Sequence, residues 1–224
     1  MLTELGKNRV HRMLQKFNLR FMSASEHKFS YDKENFDVGE IPIIFDVGAN
    51  IGQSSVWFRK SFPKATIHAF EPFEVIFREL TNNSDAICHK FGFGAKEEVV
   101  RVAPPNSAHD QQANLRTLAN EGGEEILVKT IDGFCENNNI PYIDILKSDT
   151  EGFELEVLRG AARMLDNIGN ILVEATLVSP KHTHLFDLVE VLMPTHSLFS
   201  IFDAHHAERT GGLKYFNALF KKSQ

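Results

Sequence analysis

The sequence predicts an α/β fold: a parallel sheet with helices on both faces. Three observations lead there. Apolar, strand-like runs take turns with segments of helical spacing from residue 42 onward. The runs IIF (43–45), IDILK (143–147) and ILVEA (171–175) lack polar alternation, as strands covered on both faces do. The chain has 224 residues and 42 % hydrophobic content, enough for one full core.

Taken in order, the pattern gives strands near 42–46, 66–70, 86–91, 143–148, 170–175, 197–202 and 214–220. Helices fall between them near 52–61, 73–82, 130–138, 152–165 and 182–192. The polar, turn-rich segment 103–125 reads as an excursion between two strands, and such loops tend to serve as lids or binding loops. Residues 1–40 form a separate N-terminal segment ahead of a domain at 41–224. Val10, Met13, Leu14, Phe17 and Phe21 recur at helical spacing among Lys7, Arg9, Arg12, Lys16 and Arg20. This basic amphipathic helix is expected to pack on the domain or over its active site, with peripheral membrane contact as the alternative.

A formal net charge of −6 argues against a general nucleic-acid binder, which needs a concentrated basic face. Cys88 and Cys135 are too few for a disulfide scaffold and match no zinc spacing, so a cytoplasmic protein with reduced thiols is expected. No apolar run is long enough to span a membrane, and the N-terminal residues do not read as a signal peptide.

The most informative stretch is IIFDVGANIGQSSVWF, residues 43–58. It delivers Asp46 to a strand end and continues into Gly48, Ala49, Asn50 and Gly52, where bare peptide lets a ligand lie close. The dinucleotide fingerprint G-x-G-x-x-G is missing, and the carboxylate of Asp46 would serve a pyrophosphate poorly. Glu71 ends the next strand, 25 residues after Asp46, where a carboxylate can accept hydrogen bonds from ribose hydroxyls. An ammonium and a ribose without phosphate describe S-adenosylmethionine. An NAD-dependent oxidoreductase is the rival, and it would bind NADH.

A second acidic stretch, DILKSDTEGFE, brings Asp149 and Glu151 to a later strand end. Acids so placed can serve as a general base, which must stand within hydrogen-bond reach of the proton it takes. Asp149 is the first candidate, Glu151 the second and Glu174, at the end of the next strand, the third. His182 and His205 lie on the same rim and compete for the role. His109 and Arg116 in the excursion are candidates for acceptor contact. No ligand spacing calls for a metal.

The blocks FDVGANIGQSSVWF, HAFEPFEVIFREL, VKTIDGFCENNNIPYIDILKSDTEGFELEVLRGAARML and NILVEA resemble those of the FkbM-type S-adenosylmethionine-dependent methyltransferases, over roughly residues 41–220. One departure is Ser148, where many members have isoleucine. The resemblance implies a seven-stranded, mostly parallel Rossmann-like methyltransferase sheet with its final strand antiparallel, and methyl transfer to oxygen. It places Asp46, Gly48, Asn50 and Gly52 along the methionine end of the cofactor and Glu71 at the ribose. Phe73, Gly92 and Phe93 would fall on the adenine side. The acceptor it implies is a hydroxyl of a sugar or glycan, lipid- or nucleotide-linked forms included, or of a polyketide-type metabolite. A non-catalytic S-adenosylmethionine sensor is the reading from another class.

Overall fold

The computed structural model describes residues 33–105, 107, 123–177, 183–206 and 213–223. The N-terminal amphipathic helix, most of the excursion, His109, Arg116 and His182 lie outside them.

Strands β1 (Ile43–Val47), β2 (Thr66–Phe70), β3 (Ile87–His89), β7 (Ile143–Ser148), β8 (Ile168–Ala175), β9 (His196–His206) and β10 (Leu213–Lys222) form one seven-stranded sheet. Its order is β3-β2-β1-β7-β8-β10-β9. The first five run parallel, and β10 lies antiparallel between β8 and β9. Helices α1 (Gln53–Ser61), α2 (Glu74–Asn83), α3 (Ile131–Asn138), α4 (Glu154–Arg159) and α5 (Leu185–Leu192) supply the connections. The sheet reverses its direction of growth between β1 and β7, which opens a crevice outside their carboxyl ends.

The core explains the unalternated runs. Ile44, Phe45, Ile145, Leu146, Ile171 and Val173 are all fully buried. On one face Phe45, Phe70, Phe93 and Phe134 form an aromatic cluster with centroid spacings of 4.6 to 6.4 Å, a geometry favoured beyond the area it buries. On the other, Phe36 meets Phe58 and Phe62 edge-on.

Two elements depart from the sequence reading. The helix expected over 152–165 stops at Arg159 and is followed by a 3-10 turn at Leu165–Asn167. At this end Gly160 packs against Gly94: a Cβ there would lie 2.0 Å from the carbonyl oxygen of Gly94. Asp132 then fixes the turn by accepting the backbone N–H groups of Arg163 and Met164. The strand expected over 86–91 is also cut short. The chain leaves the main sheet after His89 and enters a second, three-stranded sheet of β4 (Gly92–Phe93), β6 (Glu124–Lys129) and β5 (Glu98–Val102). The excursion therefore connects β5 to β6, two strands the hydrophobic pattern was too short to reveal.

Gly48 has φ +73°, and a Cβ on it would lie 2.0 Å from the carbonyl oxygen of Asp149. The glycine is required by the close approach of β1 and β7. Gly48→Ala is expected to cost about 3 kcal/mol of stability, read as a lowered denaturation midpoint with an unchanged slope.

Candidate active site

The crevice is a cleft of about 410 Å³. On its β1–β2 side it is bordered by Gly48, Ala49, Asn50, Glu71, Phe73, Gly92 and Phe93, and on its β7–β10 side by Asp149, Glu151, Glu174, His205 and Tyr215. Lys147 and Trp57 line it as well. Eleven residues expected at the site from the sequence, Asn50, Phe73 and His205 among them, therefore share one cleft.

Two expected residues stand elsewhere. Asp46 is fully buried and does not border the cleft. Its carboxylate accepts the hydroxyls of Ser54 (2.7 Å) and Ser55 (2.6 Å) and lies 3.4 Å from the ammonium of Lys147. It ties β1, α1 and β7 together beneath the floor. Gly52, at φ +97°, points its missing Cβ at Leu80 of α2 and Ser84 just beyond it, so the space it leaves is taken up by packing.

Glu71 is 4 % exposed. One carboxyl oxygen accepts the N–H of Asn50 (3.2 Å) and the other that of Phe73 (3.0 Å). A carboxylate has about four acceptor positions, so two remain for donors entering the cleft. Burial pushes this carboxyl up to about 7, against the pull of the two backbone donors. Asn50 itself adopts a left-handed conformation (φ 50°) and accepts the N–H of Ile51 through its side chain. Phe73 is buried against Ile76, Ile126 and Val128 of α2 and the small sheet, so its ring is a core element that also borders the cleft.

At the other end, the Lys147 ammonium lies 3.3 Å from Asp149 Oδ2. The turn Thr150–Gly152 is held by Glu154, a buried carboxylate that accepts the N–H groups of Thr150 and Gly152 (both 2.9 Å) and the Thr183 hydroxyl. This turn places Glu151 in the left-handed region at φ 55°, an unusual conformation for a long side chain and a form of strain found at functional sites. Burial first, then the charges of Asp149 and Glu154, pushes the Glu151 carboxyl up to about 7. Across the cleft the rings of His205 and Tyr215 stack at 4.4 Å.

Sequence reasoning missed Lys147, Glu154, Trp57, Tyr215 and Asn217. The three acids and one lysine crowded into KSDTEGFE were the available signal for the first two. Trp57 and Tyr215 carried none, because an aromatic on a helix or strand normally reads as core.

Glu174 gives a stability test. Burial, then Asp149 and Glu151, pushes its carboxyl from 4.5 up to about 9. Between those values the unfolded chain has lost a proton that the folded chain keeps. Folding stability thus falls as pH rises from 4.5 towards 9 and is level beyond. Glu174→Gln is expected to raise the melting temperature by about 5 °C at pH 8 and to leave it unchanged near pH 4.5.

The family model for the methyltransferase FkbM domain matches residues 46–198, which takes in both ends of the cleft. The chain belongs to this FkbM methyltransferase family. Among relatives, it is 32 % identical over 142 residues to the hexuronic acid methyltransferase AglP of Haloferax volcanii, covering 60 % of this chain and 56 % of that one. It is 30 % identical over 177 residues to Methyltransferase 1 of Beauveria bassiana, with 66 % and 71 % covered. The 31-O-demethyl-FK506 methyltransferase FkbM of Streptomyces tacrolimicus is 29 % identical over 154 residues, with 53 % and 58 % covered. A crystal structure of methyltransferase FkbM from Methylobacillus flagellatus superposes with a TM-score of 0.54 at 19 % identity, covering 91 % of this chain and 47 % of that one. This chain thus spans little more than half of AglP and about half of the Methylobacillus protein. Among the described residues, no helix is long and apolar enough to cross a membrane.

Proposed function

We propose that this protein is an S-adenosylmethionine-dependent O-methyltransferase whose acceptor is a hydroxyl of a sugar or glycan. The observation that carries the cofactor reading is Glu71. It is a buried carboxylate at the end of β2 with two backbone donors already in place and acceptor positions left for a vicinal diol. A dinucleotide fits worse, since its pyrophosphate would enter a cleft lined by the carboxylates of Glu71, Asp149, Glu151 and Glu174. When bound, the cofactor would supply an electrophilic methyl group on a positively charged sulfur. Glu71 would hold the ribose, and Gly48, Ala49 and Asn50 would border the amino-acid end.

Glu151 is the general base of this reading. It borders the cleft, its carboxyl at about 7 suits proton uptake at neutral pH, and its strained backbone is what the Glu154-braced turn maintains. Asp149, the first choice from sequence, shares its carboxylate with Lys147 and orients the floor. Glu151 would take the proton of the acceptor hydroxyl as its oxygen bonds to the methyl carbon. The bond from the methyl carbon to sulfur would break with its electrons left on sulfur, so no further group of the chain is needed to receive them. The cleft walls would hold the two reactants in line and limit the access of water.

The sugar acceptor is favoured by the polar groups Gln53, Thr150, His205, Tyr215 and Asn217 along the cleft, and by the relative that methylates hexuronic acid. A polyketide-type acceptor is the second reading, favoured by the relative that acts on 31-O-demethyl-FK506. Calorimetric titration with S-adenosylmethionine and NADH, followed by a labelled-methyl screen over glycans and polyketides, tests the proposal. Binding of the first alone, with label transferred to a glycan, is the expected result. Binding without transfer to any acceptor would favour a sensor, and NADH binding would overturn the cofactor.

A further inference from the structure

The cofactor of the proposed function would fill the strand ends on the β1–β2 side. The cleft residues it leaves over share one face of the sheet. Along β7, β8 and β10, side chains alternate between two cores. Leu146, Val173, Phe216 and Ala218 face the aromatic cluster, and Ile145, Leu172 and Leu219 face Phe36 and Phe58. The same alternation sends Lys147, Glu174, Asn217 and Tyr215 to the second face, at the cleft end of their strands. Glu174 and Asn217 pair across β8 and β10, and Tyr215 and His205 across β10 and β9. Helix α1 lies on this face through Phe58, and its Gln53 and Trp57, one turn apart, border the cleft. These groups form a trough with α1 on one side, β8 and β10 on the other and Lys147 at the floor.

The two walls differ in chemistry. Trp57 is 49 % exposed, an apolar ring at the rim of a polar cleft. Opposite it, the half-buried Asn217 amide makes no side-chain hydrogen bond among the described residues, although it can donate two and accept two. A pyranose ring carries the matching surfaces. Its C–H face packs on an aromatic ring, and an amide bridges two neighbouring hydroxyls by donating to one and accepting from the other. Charge narrows the choice further. Asp149, Glu151 and Glu174 border this half of the cleft, and the Lys147 ammonium is already shared by Asp46 at 3.4 Å and Asp149 at 3.3 Å. Lys60 and Lys214 stand over the rings of Trp57 and Tyr215, at 5.6 and 5.3 Å, and do not border the cleft. A sugar carboxylate would therefore enter without a cation of its own, and burying an unpaired charge is costly.

We propose that this trough is the acceptor subsite and that it takes an uncharged pyranose ring, with Trp57 against the ring's C–H face and the Asn217 amide across two neighbouring hydroxyls. The inference rests on the sugar reading above and narrows it. It sets this chain apart from the relative that acts on hexuronic acid.

The test is calorimetry of the full chain saturated with S-adenosylhomocysteine, which fills the cofactor half and prevents turnover. The probes are the methyl glycosides of glucose, galactose and mannose, each beside its matched uronide, which differs only by a carboxylate in place of the hydroxymethyl group. At least one uncharged glycoside is expected to bind, and its uronide to bind about tenfold or more weakly by comparison. Trp57→Ala and Asn217→Ala should each weaken that glycoside about tenfold, with S-adenosylhomocysteine affinity within about twofold of wild type. Trp57→Phe should keep most of the sugar affinity, because a smaller ring still offers a face. Where an alanine variant does not fold, Trp57→Leu or Asn217→Ser replaces it. A uronide binding as well as its uncharged partner, or undiminished sugar affinity in either variant, would overturn the inference alone. Refusal of every glycoside and uronide by the loaded chain would overturn the sugar reading with it. Failure of S-adenosylhomocysteine to bind would overturn the cofactor reading and this inference together.

Discussion

Glu71→Ala is expected to weaken S-adenosylmethionine binding about 100-fold while the protein stays folded. Two charge-assisted hydrogen bonds to a diol contribute about 1.5–3 kcal/mol each, and a factor of 100 is about 2.7 kcal/mol. The same change strips the N–H groups of Asn50 and Phe73 of their acceptor, so the turn and the start of α2 lose definition as well. Glu71→Gln should lose about tenfold, because an amide offers one oxygen where the carboxylate offers two. Trp57 makes the measurement direct. It is the single tryptophan of the chain and lines the cleft, so its fluorescence reports occupancy. The carboxyl of Glu71 at about 7 adds a pH signature: affinity should rise from pH 6 to 8 as the group ionises, and this rise should be missing in Glu71→Gln. An unchanged dissociation constant in Glu71→Ala would contradict the assignment.

Glu151→Gln is expected to lower kcat about 1,000-fold with cofactor affinity within about fivefold of wild type, the pattern of a lost base. In the wild type kcat/KM should rise with pH through about 7 and then level, since the carboxyl must be ionised to accept a proton. Asp149→Asn should cost about tenfold, acting through Lys147 and the floor of the cleft. A thousandfold loss in Asp149→Asn with near-normal turnover in Glu151→Gln would return the role to Asp149.

Much of the site was legible because its residues interrupt a periodic pattern. Glycines and an asparagine directly after an apolar run, and acids at the ends of successive strands, are out of place in a core. Both ends of the cleft came from such interruptions. What could not be read was the direction in which each group faces. Asp46 and Glu71 both close buried strands, yet one lies under the floor among two serines and a lysine and the other faces the cleft. Their sequence contexts do not separate the two outcomes. Gly48 and Gly52 looked like room for a ligand, and the space they leave is filled by the carbonyl of Asp149 and by α2. Glu154 falls within the helix expected over 152–165 and drew no notice there. It is instead a buried acceptor that shapes the turn under Glu151, a role set by contacts 29 residues away at Thr183. The small sheet escaped notice because β4 spans two residues and β5 and β6 flank a polar segment.

The central claim is that the crevice between β1, β2 and β7 holds a phosphate-free, sulfonium-bearing nucleoside with its ribose on Glu71. A crystal structure of the chain with S-adenosylhomocysteine tests this most directly. The account predicts both ribose hydroxyls within hydrogen-bond distance of the Glu71 carboxylate and the sulfur on the Asp149 side of the cleft. A ligand bound elsewhere, or a ribose turned away from Glu71, would contradict it.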